Sequence, residues 1–178
     1  MSRREEIICA GFGGQGILLL GKMLAACAME ENKHNTWMPS YGAEVRGGTA
    51  YSMAIISDEP IASPVVTSPD AAIVMNEPSF RKFRGKIKKG GFLFINSSIV
   101  RSAPPIKNVN MIKLPFTDIA LGLGNVKVAN MVALGACIKK TNIVSVRTAL
   151  KVLQGFMKDK KLLVLNKLAI LKGASLVK

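Results

Sequence analysis

Two short stretches hold the residues whose types and spacing could do chemistry. The first is Gly11-Phe12-Gly13-Gly14-Gln15-Gly16. Glycines let a backbone turn tightly and let its amides approach a ligand, and a helix opening after such a turn adds a partial positive charge at its N-terminus. A phosphate or another anion suits that place. The spacing Gly11-x-Gly13-x-x-Gly16 formally matches the dinucleotide fingerprint, but the acidic residue expected about 20 positions later is missing, since the segment Asn35 to Met38 ends at Pro39. A ligand-binding turn and a turn that only lets strand and helix pack closely both satisfy the pattern. The second stretch runs from Pro39 to Thr49 and holds Tyr41, Glu44 and Arg46 among Gly42, Gly47 and Gly48. Arg46 could clamp a carboxylate or phosphate through paired hydrogen bonds, with Glu44 orienting it or reaching across an interface. The plainer alternative is an internal Glu–Arg pair that stiffens the loop.

Little else supports catalysis. His34 is the only histidine, so neither a Ser-His-Asp set nor a zinc site is in prospect, and its position near a strand start suits a structural role. Phe12 and Trp37 read as core or interface residues. Cys9, Cys27 and Cys137 are far apart in apolar surroundings and read as buried small hydrophobes. Three thiols fall short of the four that an iron–sulfur cluster normally takes, so no metal or cluster is expected on this chain alone.

The elements that must position these residues follow from periodicity. Glu6 to Phe12 reads as a strand running into the glycine turn, and Gln15 to about Met29 as a helix, apolar nearly all round and so buried on more than one side. A short strand at Asn35 to Met38 is expected to be broken by Pro39. Thr49 to Ser57 alternates as a strand, and the turn Asp58-Glu59-Pro60 suggests a hairpin or a sheet edge after it. Further strands are expected at Ala71–Met75, Gly91–Ile95 and Asn108–Leu114, with a short exposed helix and turn over Ser79–Lys89. Helical patterns then cover Phe116–Leu123, Lys127–Lys140, Val144–Met157 and Leu162–Leu171. Strands alternating with helices define an α/β class: a three-layer α/β/α sandwich with a mostly parallel, mixed sheet, expected as one domain over residues 1–178.

Charge is distributed unevenly. Residues 1–78 hold five basic and nine acidic side chains, and residues 79–178 hold twenty basic and two acidic, which together give the net +14. Such a half could meet an acidic partner or a polyanionic ligand. The lysines are dispersed, without interleaved aromatics, so a nucleic-acid-binding module is a weaker reading of the same charge. No apolar run approaches the ~20 residues of a membrane span and the charged N-terminus lacks a signal-type segment, so a cytoplasmic protein without a membrane partner is expected.

Taken together, the two motifs resemble one family. Gly13-Gly14-Gln15-Gly16 with Gly21 and Leu24-Ala25 looks like the N-terminal signature of the gamma domain of 2-oxoacid:ferredoxin oxidoreductases, and Pro39-Ser40-Tyr41-Gly42-Ala43-Glu44-Val45-Arg46-Gly47-Gly48 resembles its second signature. Ser57-Asp58, Ile61-Ala62-Ser63-Pro64, Asn130-Met131-Val132-Ala133-Leu134-Gly135 and Asn166-x-x-Ala169-x-x-x-Gly173 extend the resemblance over nearly the whole chain. The resemblance implies a subunit that is not catalytic alone. Its partners would be alpha and beta subunits, joined in some members by delta, with ferredoxin served through the complex. Thiamine diphosphate and iron–sulfur clusters would belong to those partners, and coenzyme A would be a co-substrate. The general look leans toward 2-oxoglutarate over pyruvate or branched-chain oxoacids. Under that resemblance Gly13, Gly14, Gln15, Gly16, Tyr41, Glu44, Arg46, Gly47 and Gly48 form the candidate site, for coenzyme A or for a subunit interface. An independent dinucleotide-binding oxidoreductase is the competing reading of the glycine turn.

Overall fold

The computed structural model describes residues 3–40 and 49–178. Six strands form one sheet in the order β2-β3-β1-β4-β5-β6. They are β1 (Arg4–Phe12), β2 (His34–Ser40), β3 (Thr49–Ser57), β4 (Ala71–Val74), β5 (Phe92–Asn96) and β6 (Asn110–Leu114). β1 pairs parallel with β4, β4 with β5 and β5 with β6, whereas β3 lies antiparallel between β1 and β2. The helices are α1 (Ile17–Glu30), α2 (Glu77–Phe83), α3 (Phe116–Gly122), α4 (Ala129–Thr141), α5 (Val146–Phe156) and α6 (Lys160–Ser175), with a 3-10 turn at Val126–Val128 before α4.

Alternation along the strands divides the core in two. Ile7, Cys9, Ile73 and Phe94 face α1, α4 and α5. Ile8, Ala10, Ile55, Val74 and Leu93 face the other way, onto Phe80 and Phe83 of α2 and the partly buried Ile61, Ile106 and Val109. Each fully buried Phe or Ile contributes ~1.5–3 kcal/mol by leaving water, so the strand centres dominate stability. α1 is indeed covered on two sides, by the sheet and by α5. It comes close because Gly21 carries no side chain: a Cβ there would overlap Ser52 Oγ and crowd the Trp37 indole. α6 is placed differently from the other long helices. Its main neighbours are α4 and α5, so it forms an outer shelf over the layer that covers the sheet.

Three expectations are corrected. The second strand does not stop before Pro39: it runs through to Ser40, with Pro39 opposite Ser52. β2 is an edge strand, and an edge tolerates the missing N–H on its open side. The antiparallel partner of β3 does not follow it through Asp58-Glu59-Pro60. It precedes it, and β3 is an interior strand flanked by β2 and β1. The last helix is longer than its apolar stretch, because Asp159 caps it by accepting from the amides of Lys161 and Leu162 (2.7 and 3.3 Å).

Candidate functional site

The glycine turn leaves the C-terminal end of β1 at the point where the sheet switches sides: α1 covers one face, α2 the other. Gly14 (φ 89°) and Gly16 (φ 70°) adopt left-handed backbone conformations that a side chain strains. Gly16 is also the N-cap of α1, and a Cβ on it would strike the Asn130 carboxamide. Gln15 holds the turn shut. Its Oε1 accepts from the Phe12 amide (2.7 Å) and its Nε2 donates to the Met75 carbonyl at the end of β4 (3.4 Å). The Gln15 amide donates back to the Phe12 carbonyl (3.2 Å). A Cβ on Gly13 or Gly14 would meet nothing among the described residues, which leave the outer rim of the turn open.

Polar residues outside the candidate site named from the sequence complete this edge; of them only Asn130 figured there, within the resemblance. Asn96, fully buried at the end of β5, donates from Nδ2 to the Met75 carbonyl (3.4 Å) and to Thr117 Oγ1 (2.9 Å), and its Oδ1 accepts from the Thr117 amide (3.3 Å). Asn130 at the start of α4 donates to the Gly16 carbonyl (3.3 Å). Asn76, also fully buried, caps α2 by accepting from the Ser79 amide (2.8 Å). The only signal for Asn76 was its place just before Glu77-Pro78, a helix-start pattern. The ends of β1, β4 and β5 and the starts of α1, α3 and α4 are thus tied into one rim. A cleft of about 180 Å³ opens there, lined by Gly14, Gln15, Met75, Ile99, Thr117, Val126, Lys127 and Ala129. Lys127 supplies the cationic side chain. Pockets for drug-sized ligands run to ~300–1,000 Å³, so this cleft has room for one end of a large ligand.

Gly13, Gly14, Gln15 and Gly16 are therefore brought together on this rim. Tyr41, Glu44, Arg46, Gly47 and Gly48 lie outside the described residues. Their loop is anchored at the same edge, however. Ser40 pairs with Tyr51, Tyr51 pairs with Ala10, and Thr49 pairs with Phe12. Ser40 and Thr49, the described residues on either side, thus lie at the same end of the sheet as the glycine turn. Tyr51 there is edge-on to Phe83 (5.3 Å between ring centres) and lies under the Lys82 ammonium, 4.5 Å from its ring centre.

Titratable groups with displaced pKa values cluster elsewhere. At the opposite edge Lys88 bridges Asp70 (2.9 Å) and Glu6 (3.4 Å). Burial pulls its ammonium down, but Asp70 and then Glu6 outweigh that and hold it above its ordinary value. Glu5 beside them is raised, first by burial and then by the Asp70 charge. These pairs stitch the start of β1 to Asp70, just before β4.

The thiols do not fit an iron–sulfur cluster. Cys9, Cys27 and Cys137 are all buried, and burial pushes the first two up to about 12 and the third well above its ordinary value. Among the described residues no group of three or more His, Cys, Asp or Glu side chains gathers where a metal ion could sit. No helix among them is long and apolar enough to cross a membrane.

The mixed α/β sheet thus carries the glycine turn at the C-terminal end of β1. The chain belongs to the pyruvate ferredoxin/flavodoxin oxidoreductase family, whose model matches residues 6–176. It is 43% identical over 145 residues to the 2-oxoglutarate synthase subunit KorC of Methanocaldococcus jannaschii, covering 80% of this chain and 78% of that one. Its fold matches the gamma subunit of a keto/oxoacid ferredoxin oxidoreductase from Geobacter sulfurreducens, with a TM-score of 0.85, 32% identity and 96% of each chain covered. It also matches part of the 2-oxoglutarate:ferredoxin oxidoreductase of Magnetococcus marinus, solved with 2-oxoglutarate, coenzyme A and succinyl-CoA, with a TM-score of 0.87 and 27% identity over 98% of this chain and 31% of that one. The expected family and α/β fold are both borne out, and the chain is a subunit type of the 2-oxoacid:ferredoxin oxidoreductases.

Proposed function

We propose that this chain is the gamma subunit of a 2-oxoglutarate:ferredoxin oxidoreductase, that it works only with alpha and beta partners, and that it helps receive coenzyme A. The observation that carries the reading is its 43% identity, over four-fifths of its length, to a 2-oxoglutarate synthase subunit. Thiamine diphosphate and the iron–sulfur clusters belong to the partner subunits in this reading, in keeping with the buried, protonated thiols and the single histidine. Oxidative decarboxylation of the oxoacid, transfer of the acyl group to coenzyme A and reduction of ferredoxin then take place in the assembled complex.

The chain's own contribution is positional. Coenzyme A is a polyanion with a slender thiol arm. The glycine rim offers open backbone beside Gly13 and Gly14, and Lys127 stands at the cleft. Arg46, on the loop anchored next to that rim, can pair with a phosphate through two parallel hydrogen bonds. The rival dinucleotide-binding reading is weaker. It needs an acid at the end of the strand that follows α1, set next to β1, but that strand, β2, ends in Pro39-Ser40 and β3 stands between it and β1.

The test is Arg46→Ala in a complex reconstituted with its alpha and beta subunits. The apparent Michaelis constant for coenzyme A should rise ~10-fold or more, as expected for loss of a charge-assisted contact. Partial turnover of 2-oxoglutarate without coenzyme A should be kept. A fully assembled variant with unchanged coenzyme A kinetics at low and high salt would overturn the coenzyme A role.

A further inference from the structure

α6 is apolar on two opposite sides, and only one of them is used within the chain. Its inner side, Asn166, Ala169, Ile170, Gly173 and Ala174, is buried. The crossing with α4 is backbone against backbone: a Cβ on Gly135 would overlap the Ile170 carbonyl, and one on Gly173 the Val132 carbonyl. Its outer side carries Val164, Leu168 and Leu171, which are 58%, 48% and 46% exposed. The spacing of four and three residues puts them on one stripe. A shallow groove of about 500 Å³ runs along it, lined by Lys160, Lys161, Val164, Leu165 and Leu168. Isolated exposed leucines need no explanation, but a continuous stripe on a rigidly mounted helix does.

The rim of that stripe identifies what covers it. Residues 158–178 hold six lysines and a single acid, Asp159, whose carboxylate is occupied in capping the helix. Among the described residues none of Lys160, Lys161, Lys167 and Lys172 is paired with a carboxylate. A second copy packed α6 against α6 would bring the same lysines against these, and like charges across an interface cost several kcal/mol. An acidic rim gains instead. We infer that the outer stripe of α6 is a subunit-docking ridge whose partner presents an apolar strip bordered by Asp and Glu side chains. This rests on the reading of the chain as one subunit of a larger oxidoreductase, and places the covering surface on the alpha or beta subunit.

The experiment co-expresses the alpha and beta subunits with the wild-type chain, with Leu168→Asp, or with Lys161→Glu/Lys172→Glu. Assembly is read by native mass spectrometry and by dissociation constants at low and high salt. Thermal unfolding of each isolated chain is the folding control, and the reversal at the two exposed lysines stands in case Leu168→Asp unfolds. Leu168→Asp should weaken assembly by ~30-fold or more, as for a buried interface anchor. The lysine reversal should weaken it ~10-fold at low salt, with the loss shrinking as salt rises. Wild-type assembly matched by both folded variants overturns the ridge while leaving the subunit reading intact. A wild-type chain that does not assemble with alpha and beta at all overturns both. An isolated wild-type dimer that persists in the complex and is abolished by Leu168→Asp overturns the acidic partner in favour of a second copy. Capture on phosphatidylserine vesicles, lost in Leu168→Asp while assembly is unchanged, overturns it in favour of a lipid surface.

Discussion

Cys9, Cys27 and Cys137 show what position does to a reactive group. A thiol is a nucleophile only as thiolate, and burial disfavours the charge. Burial holds Cys9 and Cys27 at about 12, with a hydrogen bond to Ser52 opposing it at Cys9 and the Glu31 and Glu30 charges adding to it at Cys27. At pH 8 their thiolate fraction is then ~1,000-fold below that of an exposed cysteine. Iodoacetamide should leave the folded chain unlabelled over minutes and label all three thiols rapidly in denaturant, as read by mass spectrometry. Rapid labelling of the folded chain would contradict the burial. The linkage has a definite sign. These folded pKa values are raised, so the protonated thiols' full contribution is present below the unfolded value of about 9 and is lost as pH rises from there toward 12.

Among the elements, the α4–α6 crossing is the most demanding contact. Gly135 and Gly173 each lie against the other helix's main chain, and main chain cannot rotate away. Alanine in a helix interior normally gains up to ~1 kcal/mol over glycine. Here overpacking should reverse the sign, so that Gly135→Ala and Gly173→Ala each destabilise by ~1–3 kcal/mol. Gly155 in α5 is the control, since a Cβ there meets nothing. Gly155→Ala should be neutral or stabilise by up to ~1 kcal/mol. Urea midpoints of the isolated chains decide the matter: a Gly135→Ala protein as stable as wild type would mean the helices can part freely.

For the whole molecule, the informative quantity is the mismatch between surface and function. The chain exposes an apolar stripe, carries net +14 and, among the described residues, gathers no acid–base set around its cleft. These features are the ones expected of a subunit that works only within a complex, which is the reading proposed above. The isolated chain should show no viologen-linked oxidation of 2-oxoglutarate, and activity should appear when alpha and beta subunits are added. Turnover by the chain alone, in a preparation free of those subunits, would refute its role as a dependent subunit.

The amino-acid sequence by itself determined the elements and the two motifs, because alternation, helical spacing and glycine placement are local properties of the chain. β1, the turn at Gly13–Gly16, β3 and the run of C-terminal helices were legible for that reason. Only the tertiary structure decided that β3 runs antiparallel between β1 and β2, because an alternating strand pairs equally well in either direction and its neighbours are chosen by what must be buried. It also decided that Pro39 stays in a strand, since only an edge position forgives its missing donor. Asn96 and Asn130 carry no mark in sequence of what they do: buried at a strand end and a helix start, their carboxamides tie the rim together, while Asn76 caps α2. Val164, Leu168 and Leu171 fall within a helical pattern in sequence. Whether an apolar stripe faces inward depends on where its helix is laid, and α6 is laid with its small residues against α4 and its large ones outward.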